Sequence, residues 1–559
     1  MVHETTRRGV LKLLSAATVV GASGRAFAAE PSEDRYVVDT AATETPVSEM
    51  VSAMEVVYDF RDVTPDGDGI EFVVVRGSES AMPAEARYTA DLDVAIEPPE
   101  VVAAAEADPA AAETSEPLYD LQWDKREQQI ERVHETATGD GTRIGVIDDG
   151  VLGANPDDDF AHPDLPNVRQ DLSENFTADG EGPGPLNDDH GTHVAGTAAA
   201  AVNGAGVRGM APDAEVVDLR VFSGAGASFA DVAAAVVVGA APEGAPVTVS
   251  PPANGGSAFT GAGCDVLNLS LGTPPIPEDS SGIGVTVDFL SAVGQFAVGQ
   301  GALPVAAAGN DGTNLDDGVI VLPAEADGYV SVGATGPIGY GWPVEGRGTQ
   351  VGPFTVERPI DTELPTYEPA FYTNYGAEGV DVTAGGGNVD PDGVGVVPIR
   401  RLLFDYVLST TFQTDPDAPE DARLEAYTPS YGGKPGTSFA APNVSGFAAL
   451  LYEALGEDAT PAAVRDRIES FAQPRPVGRA GETTAPGVTP NVSDDGTVDG
   501  DQPSAPGSAP GGLDADEYRG EGHVNVLPAV RSAAGGDDGN GRGGGDGRGG
   551  GNGRGNGGN

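Results

Sequence analysis

Cysteine, lysine and aromatic residues are all scarce in this chain of 559 residues. The single cysteine, Cys264, excludes a disulfide within the chain, and we expect it to be a buried, unreactive thiol. Only three lysines occur among the 30 basic residues, against 87 aspartates and glutamates. The formal net charge of -57 disfavours nucleic acid as a partner, because the phosphate backbone is itself an anion.

The excess of acidic residues indicates the solvent to which the chain is adapted. Crowded carboxylates repel one another, and salt weakens this repulsion because the Debye length falls from about 8 Å at physiological ionic strength to about 3 Å at 1 M. The acidic, lysine-poor composition resembles that of proteins from extreme halophiles. Intrinsic disorder is the alternative for a highly charged chain, but several segments here are strongly apolar and favour a folded protein.

The first 29 residues have the pattern of an export signal. Arg7 and Arg8 form a twin-arginine pair, an apolar run extends to Val20, and the Ala-Phe-Ala sequence at 26–28 fits a cleavage site. The apolar run is too short to span a membrane, so no anchor is expected once the signal is removed. A basic start by chance is the alternative interpretation. The pattern predicts a protein that is secreted through the twin-arginine pathway.

Three short segments carry side chains that can act together in nucleophilic catalysis. Asp148 ends an apolar run at 143–148, His190 opens a segment of small residues, and Ser438 lies in the Gly-Thr-Ser-Phe-Ala-Ala-Pro sequence at 436–442. A serine hydroxyl becomes a good nucleophile when an imidazole accepts its proton, and a buried carboxylate orients that imidazole. The flanking sequences predict that Asp148 ends a buried strand and that Ser438 lies near the N-terminus of a helix.

Each segment also has a simpler interpretation when it is taken alone. Asp149-Gly150 fits a hairpin turn, and His190 with His193 could bind a metal if a third ligand were present. A Gly-Thr-Ser run fits an ordinary loop. These interpretations do not explain why the three segments occur together, in the order Asp, His, Ser.

The order and the flanking residues resemble those of the subtilisin-like serine proteases, the subtilases, from about Tyr119 to Ala533. With the acidic composition, the resemblance extends to halolysin-like members from extreme halophiles. It implies a serine endopeptidase that forms an acyl-enzyme intermediate. Two departures concern Asp149, where the family more often has Thr or Ser, and Asn443, where a His commonly follows the serine block.

The same resemblance implies further roles in the site. Asn310 matches the asparagine that stabilises the oxyanion, although Asn-Asp-Gly at 310–312 also fits a plain turn. The substrate-binding residues implied by the match are Ser270, Leu271 and Gly272, on a wall of the S1 pocket, and Ala308, Gly309 and Asp311. Because Asp311 would lie at the rim of S1, we expect acidic P1 side chains to be disfavoured.

The predicted fold class is α/β, with a mostly parallel central sheet covered by helices on both faces. Apolar runs predict six buried strands: 143–148, 215–222, 265–271, 303–308, 329–334 and 380–383. A smaller α+β module whose position resembles that of a subtilase propeptide is expected before them, and a merely structural N-terminal domain is the alternative. Its predicted strands are 35–39, 54–60 and 70–75.

These patterns divide the chain into four regions. They are a signal peptide at 1–29, a propeptide with an acidic linker at 30–116, a peptidase domain at 117–534 and a disordered glycine-rich tail at 535–559. Segments 241–262, 338–372 and 388–433 are predicted to be surface insertions in the peptidase domain.

No cofactor is needed for the predicted chemistry. Family members commonly bind structural calcium, and the segments 155–159 and 203–207 lie where one such site is expected, without matching it ligand by ligand. The expected partners are polypeptide substrates and the chain's own propeptide, which would act as an intramolecular inhibitor. The contrasting hypothesis is a surface protein that binds peptides without cleaving them.

Overall fold

A computed structural model gives the fold of most of the chain. It describes residues 35–43, 46, 54–61, 63, 69–96, 104–105, 118–155, 161–177, 179–186, 188–223, 227–249, 259–337, 349–351, 354–356, 367, 369–388, 405–414, 427–473 and 520–535. The predicted signal peptide and glycine-rich tail, and most of the acidic linker, lie outside the described residues. Among the residues described, no helix is both long and apolar enough to cross a membrane.

Residues 35–96, which we call the N-terminal module, form a small antiparallel sheet. Its strands and the two short strands that follow them are β1 (Arg35–Asp39), β2 (Glu55–Asp59), β3 (Phe72–Arg76), β4 (Arg87–Ala90), β5 (Asp93–Val94) and β6 (Ala104–Ala105). The sheet order is β2-β3-β1-β4. The three strands that the sequence predicted are confirmed, and β4 is an additional one.

The remaining strands build the larger domain and its hairpins. They are β7 (Arg143–Asp148), β8 (Glu174–Asn175), β9 (Glu215–Arg220), β10 (Ala227–Ser228), β11 (Pro246–Val247), β12 (Phe259–Thr260), β13 (Val266–Leu269), β14 (Ile276–Pro277), β15 (Leu303–Ala307), β16 (Val319–Ile320), β17 (Val330–Thr335), β18 (Thr349–Val351), β19 (Phe354–Val356), β20 (Val382–Gly385), β21 (Val407–Thr414), β22 (Tyr427–Lys434) and β23 (Gly522–His523). Eight of them form one sheet in the order β23-β20-β17-β15-β13-β7-β9-β8.

Every pairing in the eight-stranded sheet is parallel. Its central strands are buried along nearly their whole length, as expected for a parallel sheet whose two faces are both covered. All six strands predicted from the apolar runs are present, with ends that differ by a few residues. The predicted α/β fold is confirmed.

Helices cover both faces of the sheet. They are α1 (Trp123–Glu127), α2 (Ile130–Val133), α3 (His190–Ala199), α4 (Phe229–Ala240), α5 (Ile283–Gln300), α6 (Thr437–Leu455), α7 (Pro461–Phe471) and α8 (Val526–Ala533). Apolar residues of α3, α6, α7 and α8 share one core with the sheet, whereas those of α4 and α5 share the other. The N-terminal module joins the second core, where Phe60 and Phe72 lie 5.5 and 5.3 Å from the ring of Phe289 in α5.

The hairpin formed by β21 and β22 is not a surface insertion, so that prediction is wrong for this part of 388–433. The two strands pair over eight residues, and most of the hairpin is buried. Ser409 Oγ donates to the carbonyl oxygen of His193 over 2.9 Å, and Thr410 Oγ1 donates to that of Thr192 over 2.7 Å. The hairpin therefore packs directly on α3. The hairpin lies outside the apolar runs from which the strands were predicted, and its Ser409 and Thr410 hydroxyls bond the helix.

Candidate active site

Asp148 and His190 form a buried pair at the carboxyl end of the sheet. Asp148 is the last residue of β7, and His190 is the first residue of α3. Asp148 Oδ1 lies 2.8 Å from His190 Nδ1, and both side chains are almost completely buried. The carboxylate therefore fixes the orientation of the ring and leaves Nε2 as the nitrogen that can exchange a proton with a substrate-side group.

A second hydrogen bond joins the start of α3 to Asp149, the residue after Asp148. Asp149 Oδ1 accepts from the backbone N–H of Gly191 over 2.7 Å. Burial, followed by the negative charges of Asp148 and Asp188, raises the pKa of Asp149 well above its usual range. Asp149 is thus not a simple hairpin-turn residue, because its side chain holds the helix that carries His190.

The two histidines of α3 do not converge on a common point, which argues against the metal-pair interpretation. His193 Nε2 lies 3.1 Å from the carbonyl oxygens of both Val407 and Gly432, in the β21–β22 hairpin. Burial lowers the pKa of His193 well below its usual range. Its ring therefore donates as a neutral imidazole and ties α3 to the hairpin.

Ser438 lies in the first turn of α6, as predicted, and is 2 % exposed. Its backbone N–H is one of those that a helix N-terminus leaves without an intrahelical acceptor. Its carbonyl oxygen would normally bond the N–H of residue 442, but that residue is Pro442 and has none. Ser270 Oγ donates to this carbonyl oxygen instead, over 2.7 Å.

The hydroxyl of Ser438 also contacts Ser270 in this structure. Ser438 Oγ donates to the carbonyl oxygen of Ser270 over 3.3 Å, and His190 Nε2 has no hydrogen-bond partner among the described residues. The ring of His190 nevertheless lies near, 5.2 Å from that of Phe439, the residue after the serine. The Ser438 hydroxyl thus donates to Ser270 and not to His190 here, and catalytic hydrogen bonds are often loose without substrate.

Asn310 is held next to the start of α6. Its Oδ1 accepts from both the backbone N–H and the hydroxyl of Thr437, over 2.9 and 3.0 Å. The amide nitrogen, an N–H donor, is the other polar atom of the same terminal group. The structure thus brings Asn310 to the residue before Ser438, as an oxyanion role requires.

The loop before Asn310 is fixed by a residue that the sequence analysis missed. Asn374 Nδ2 donates to the carbonyl oxygen of Ala308, and Asn374 Oδ1 accepts from the backbone N–H of Asp311. Gly309 has a φ of +94°, and a Cβ there would lie 2.4 Å from Asn374 Nδ2, so a side chain at 309 is excluded. Nothing in the sequence around Asn374 identified this role.

The predicted wall of the S1 pocket follows β13. Ser270 and Leu271 are buried, and Gly272 exchanges two backbone hydrogen bonds of 3.1 Å with Ala95 of the N-terminal module. Ser270 therefore has a structural role that the sequence did not indicate, since its hydroxyl holds the main chain of Ser438.

Lys434 and Asp189, which the sequence analysis also missed, form an ion pair beside His190.

A structural calcium at 203–207 stays a prediction. Asn203 uses its side-chain amide within the loop, where Oδ1 accepts from Ala205 N and Nδ2 donates to Pro163 O. The segment 155–159 lies largely outside the described residues. Within the part of the chain that is described, no group of three His, Cys, Asp or Glu side chains could hold a metal ion.

Cys264 is buried, and burial raises the pKa of its thiol.

An imidazole held by a buried carboxylate, near a serine at a helix N-terminus, is the means by which serine hydrolases activate a hydroxyl. On a parallel sheet, and in the chain order Asp, His, Ser, it defines the subtilisin-like class of serine proteases. The model of the subtilase family matches residues 139–499, and the chain belongs to this family.

Curated relatives agree with this assignment. An extracellular protease of Xanthomonas campestris pv. campestris is 29% identical over 362 residues, which are 61% of this chain and 49% of that protein. An alkaline protease of Alkalihalobacillus alcalophilus is 31% identical over 329 residues, which are 57% of this chain and 71% of that protein. The match thus spans about half the length of the first relative and more of the second.

Solved structures share the fold. The epidermin leader peptide processing serine protease of Staphylococcus aureus superposes with a TM-score of 0.56 at 19% identity, covering 90% of this chain and 99% of that one. Fervidolysin of Fervidobacterium pennivorans, a keratinolytic enzyme related to subtilisin, gives a TM-score of 0.52 at 20% identity, over 91% and 62% of the two chains. At these identities the likeness concerns the fold alone.

Proposed function

We propose that this chain is a secreted serine endopeptidase that hydrolyses polypeptides through Asp148, His190 and Ser438 and works at high salt. The observation that carries the proposal is the buried 2.8 Å hydrogen bond between Asp148 and His190, close to the helix whose first turn contains Ser438. The bond leaves Nε2 of His190 to act on the serine. The chemistry needs no cofactor.

In the proposed reaction Ser438 Oγ attacks the scissile carbonyl carbon while His190 Nε2 takes its proton. The carbonyl oxygen becomes an oxyanion, which accepts hydrogen bonds from the backbone N–H of Ser438 and from the Asn310 amide. As the tetrahedral intermediate collapses, the carbon–nitrogen bond breaks and His190 gives its proton to the leaving amine. Water then attacks the acyl-enzyme by the same route and releases the acid and the free serine.

The N-terminal module would be an intramolecular inhibitor that also helps the chain to fold. Near its last described residues, β5 pairs antiparallel with β10, and Ala95 pairs with Gly272, which the sequence predicts to be on a wall of the S1 pocket. Further along, β6 pairs antiparallel with Tyr431 and Gly432 of β22. Peptides bind many proteins as an added strand of this kind, so these pairings support a module that occupies the path of a substrate.

Several side chains support the attachment of this module to the peptidase domain. Asp231, in the first turn of α4, accepts from the hydroxyl of Tyr58 over 2.9 Å and pairs with Arg35 over 3.3 Å. Arg35 also lies 3.0 Å from Asp91. Twin-arginine export would carry the folded precursor out of the cell, and an inhibitor that remains bound until then would protect the cytoplasm.

Digestion of a peptide library in molar KCl tests the proposal. We expect the purified enzyme to cleave internal peptide bonds, with few acidic residues at P1 because of Asp311, and the Ser438→Ala protein to cleave none. The variant should also keep the N-terminal module attached. Peptides that bind the wild-type enzyme and emerge intact would support the binding-only alternative, and a profile richest in P1 Asp or Glu would contradict the placement of Asp311.

A further inference from the structure

A buried ion pair joins the two chain segments that lead to His190 and Ser438. Lys434 Nζ lies 2.6 Å from Asp189 Oδ1 and 3.9 Å from Asp188 Oδ1. Asp189 immediately precedes His190, and Lys434 ends β22, four residues before Ser438. The side chain of Lys434 is only 5% exposed, whereas that of Asp189 is 19% exposed. The pair therefore connects the two catalytic segments at a place that is largely shielded from water.

Lysine is a rare residue in this chain, and its two occurrences among the described residues are both buried. Lys125 pairs with Asp124 over 2.7 Å and also donates to Asn443 in α6. An ammonium group that leaves water loses solvation free energy, which a well-placed carboxylate must compensate. Both lysines therefore lie where the fold supplies such a carboxylate. Only Lys434 lies beside His190.

Acidic groups surround the first turn of α3. Asp188 Oδ1 accepts from the backbone N–H of His190 over 3.1 Å, and Asp149 binds the next N–H, that of Gly191. The titratable groups that face this turn from the elements packed against it are Asp148 at the end of β7 and Asp149 after it, Asp188 and Asp189 before α3, His193 in the next turn, Asp218 in β9 and Lys434 in β22. Lys434 is the one cation of fixed charge among these described groups.

We propose that Lys434 is a positioning residue for catalysis, which rests on the proposed serine protease function. Through Asp189 it holds the strand before Ser438 against the start of the helix that carries His190. Its positive charge also lies among the carboxylates around this turn. Because Ser438 Oγ must give its proton to His190, the spacing of the two segments decides whether the proton can be transferred.

The kinetics of Lys434→Met and Asp189→Asn test this role. Loss of the pair should lower kcat by about tenfold to a hundredfold, with KM changed much less, because misplacement affects the chemical step. Removal of the cation should move the acid limb of the kcat/KM profile to higher pH, and removal of the Asp189 charge should move it to lower pH. Shifts in opposite directions are not expected from a merely structural defect.

Two variants serve as controls. Lys434→Arg keeps the charge and should keep the acid limb in place, whereas Lys125→Met removes the other buried lysine and should also leave the limb unmoved. The proposal is overturned if Lys434→Met and Asp189→Asn shift the limb in the same direction, if neither shifts it, or if Lys125→Met shifts it as far as Lys434→Met does. Should Lys434→Met fail to fold, an unshifted limb in Asp189→Asn overturns it.

Failure of this proposal can be told from failure of the protease function. A wild-type enzyme that does not react with a fluorophosphonate at Ser438 would contradict the proposed protease function itself. A wild-type enzyme that reacts there, but whose acid limb does not respond to these substitutions, would contradict only the role of Lys434.

Discussion

Ser270 and Ser438 form two reciprocal hydrogen bonds, each from the hydroxyl of one residue to the carbonyl oxygen of the other. The hydroxyl of Ser270 donates to the carbonyl oxygen of Ser438 over 2.7 Å, and the hydroxyl of Ser438 donates to the carbonyl oxygen of Ser270 over 3.3 Å. The first of these bonds substitutes for the helical bond that Pro442 cannot make. Ser270 therefore fixes the main chain at Ser438, the proposed nucleophile.

Ser270→Ala should lower the free energy of unfolding by about 1–3 kcal/mol, because a buried carbonyl oxygen loses its donor. Denaturant unfolding of the inactive Ser438→Ala protein in molar KCl measures this without self-digestion. In a Pro442→Ala background the restored N–H can bond the same oxygen, so Ser270→Ala should cost clearly less there. Equal costs in both backgrounds would show that the two groups do not share this oxygen.

Asn310→Ala should lower kcat by about a hundredfold to a thousandfold with little change in KM, since its N–H matters mainly in the transition state. Asn310 also accepts from Thr437, so the alanine variant removes two contacts. Asn310→Asp keeps the acceptor but replaces the N–H donor with a second carboxylate oxygen, which also adds negative charge. It should lose at least as much activity as the alanine variant. An aspartate variant with an activity close to that of the wild type would contradict the oxyanion role of Asn310.

The sequence predicted the main sheet and the positions of Asp148, His190 and Ser438 because both depend on local patterns. Buried parallel strands such as β7 and β15 are continuous apolar runs, and small residues mark α3 and α6. The contacts between distant segments were not predictable in this way. Asn374 reaches the loop before Asn310 from 66 positions away, at Ala308, and no local pattern indicates such a partner.

The β21–β22 hairpin shows a second reason for error. Ser, Thr and Gly residues favour loops when only local propensity is considered. In the fold, Ser409 and Thr410 use their hydroxyls to bond carbonyl oxygens of α3, which makes a polar strand suitable for burial. Tertiary hydrogen bonds therefore overrode the composition of this segment.

The stability of the precursor should depend on pH through Asp91. Burial raises its pKa from 3.8 to about 6 against the opposing effect of Arg35, and the side chain also accepts from Ala230 N in α4. Because this pKa is higher in the folded than in the unfolded chain, the contribution is fully present below about pH 4 and is lost as the pH rises through about 6. The Ser438→Ala protein that also carries Asp91→Asn should therefore lose less stability than the Ser438→Ala protein alone as the pH rises over this range.

Unfolding of the two proteins at several pH values between 4 and 7 makes the comparison, because the other carboxyl groups are common to both. The difference between their free energies of unfolding should change with pH in the direction given. A difference that stays constant across this range would show that Asp91 does not titrate differently on folding.

Salt should stabilise the folded protein. Transfer of the Ser438→Ala protein from molar KCl to about 0.1 M salt lengthens the Debye length to about 10 Å and restores repulsion among the carboxylates. We expect the circular dichroism spectrum to show unfolding, and the inactive variant excludes self-digestion as its cause. A spectrum unchanged down to dilute buffer would contradict the salt adaptation and leave the protease function untouched.

Covalent labelling by a fluorophosphonate tests the central claim most directly, because the reagent reacts with an activated serine. The enzyme is labelled in molar KCl after the N-terminal module has been cleaved, and the modified residue is located by mass spectrometry. The catalytic role of the Asp148–His190 pair predicts one adduct, on Ser438, and much slower labelling in His190→Ala and Asp148→Asn. An enzyme that cleaves peptides without an adduct on Ser438, or His190→Ala labelled at the wild-type rate, would contradict it.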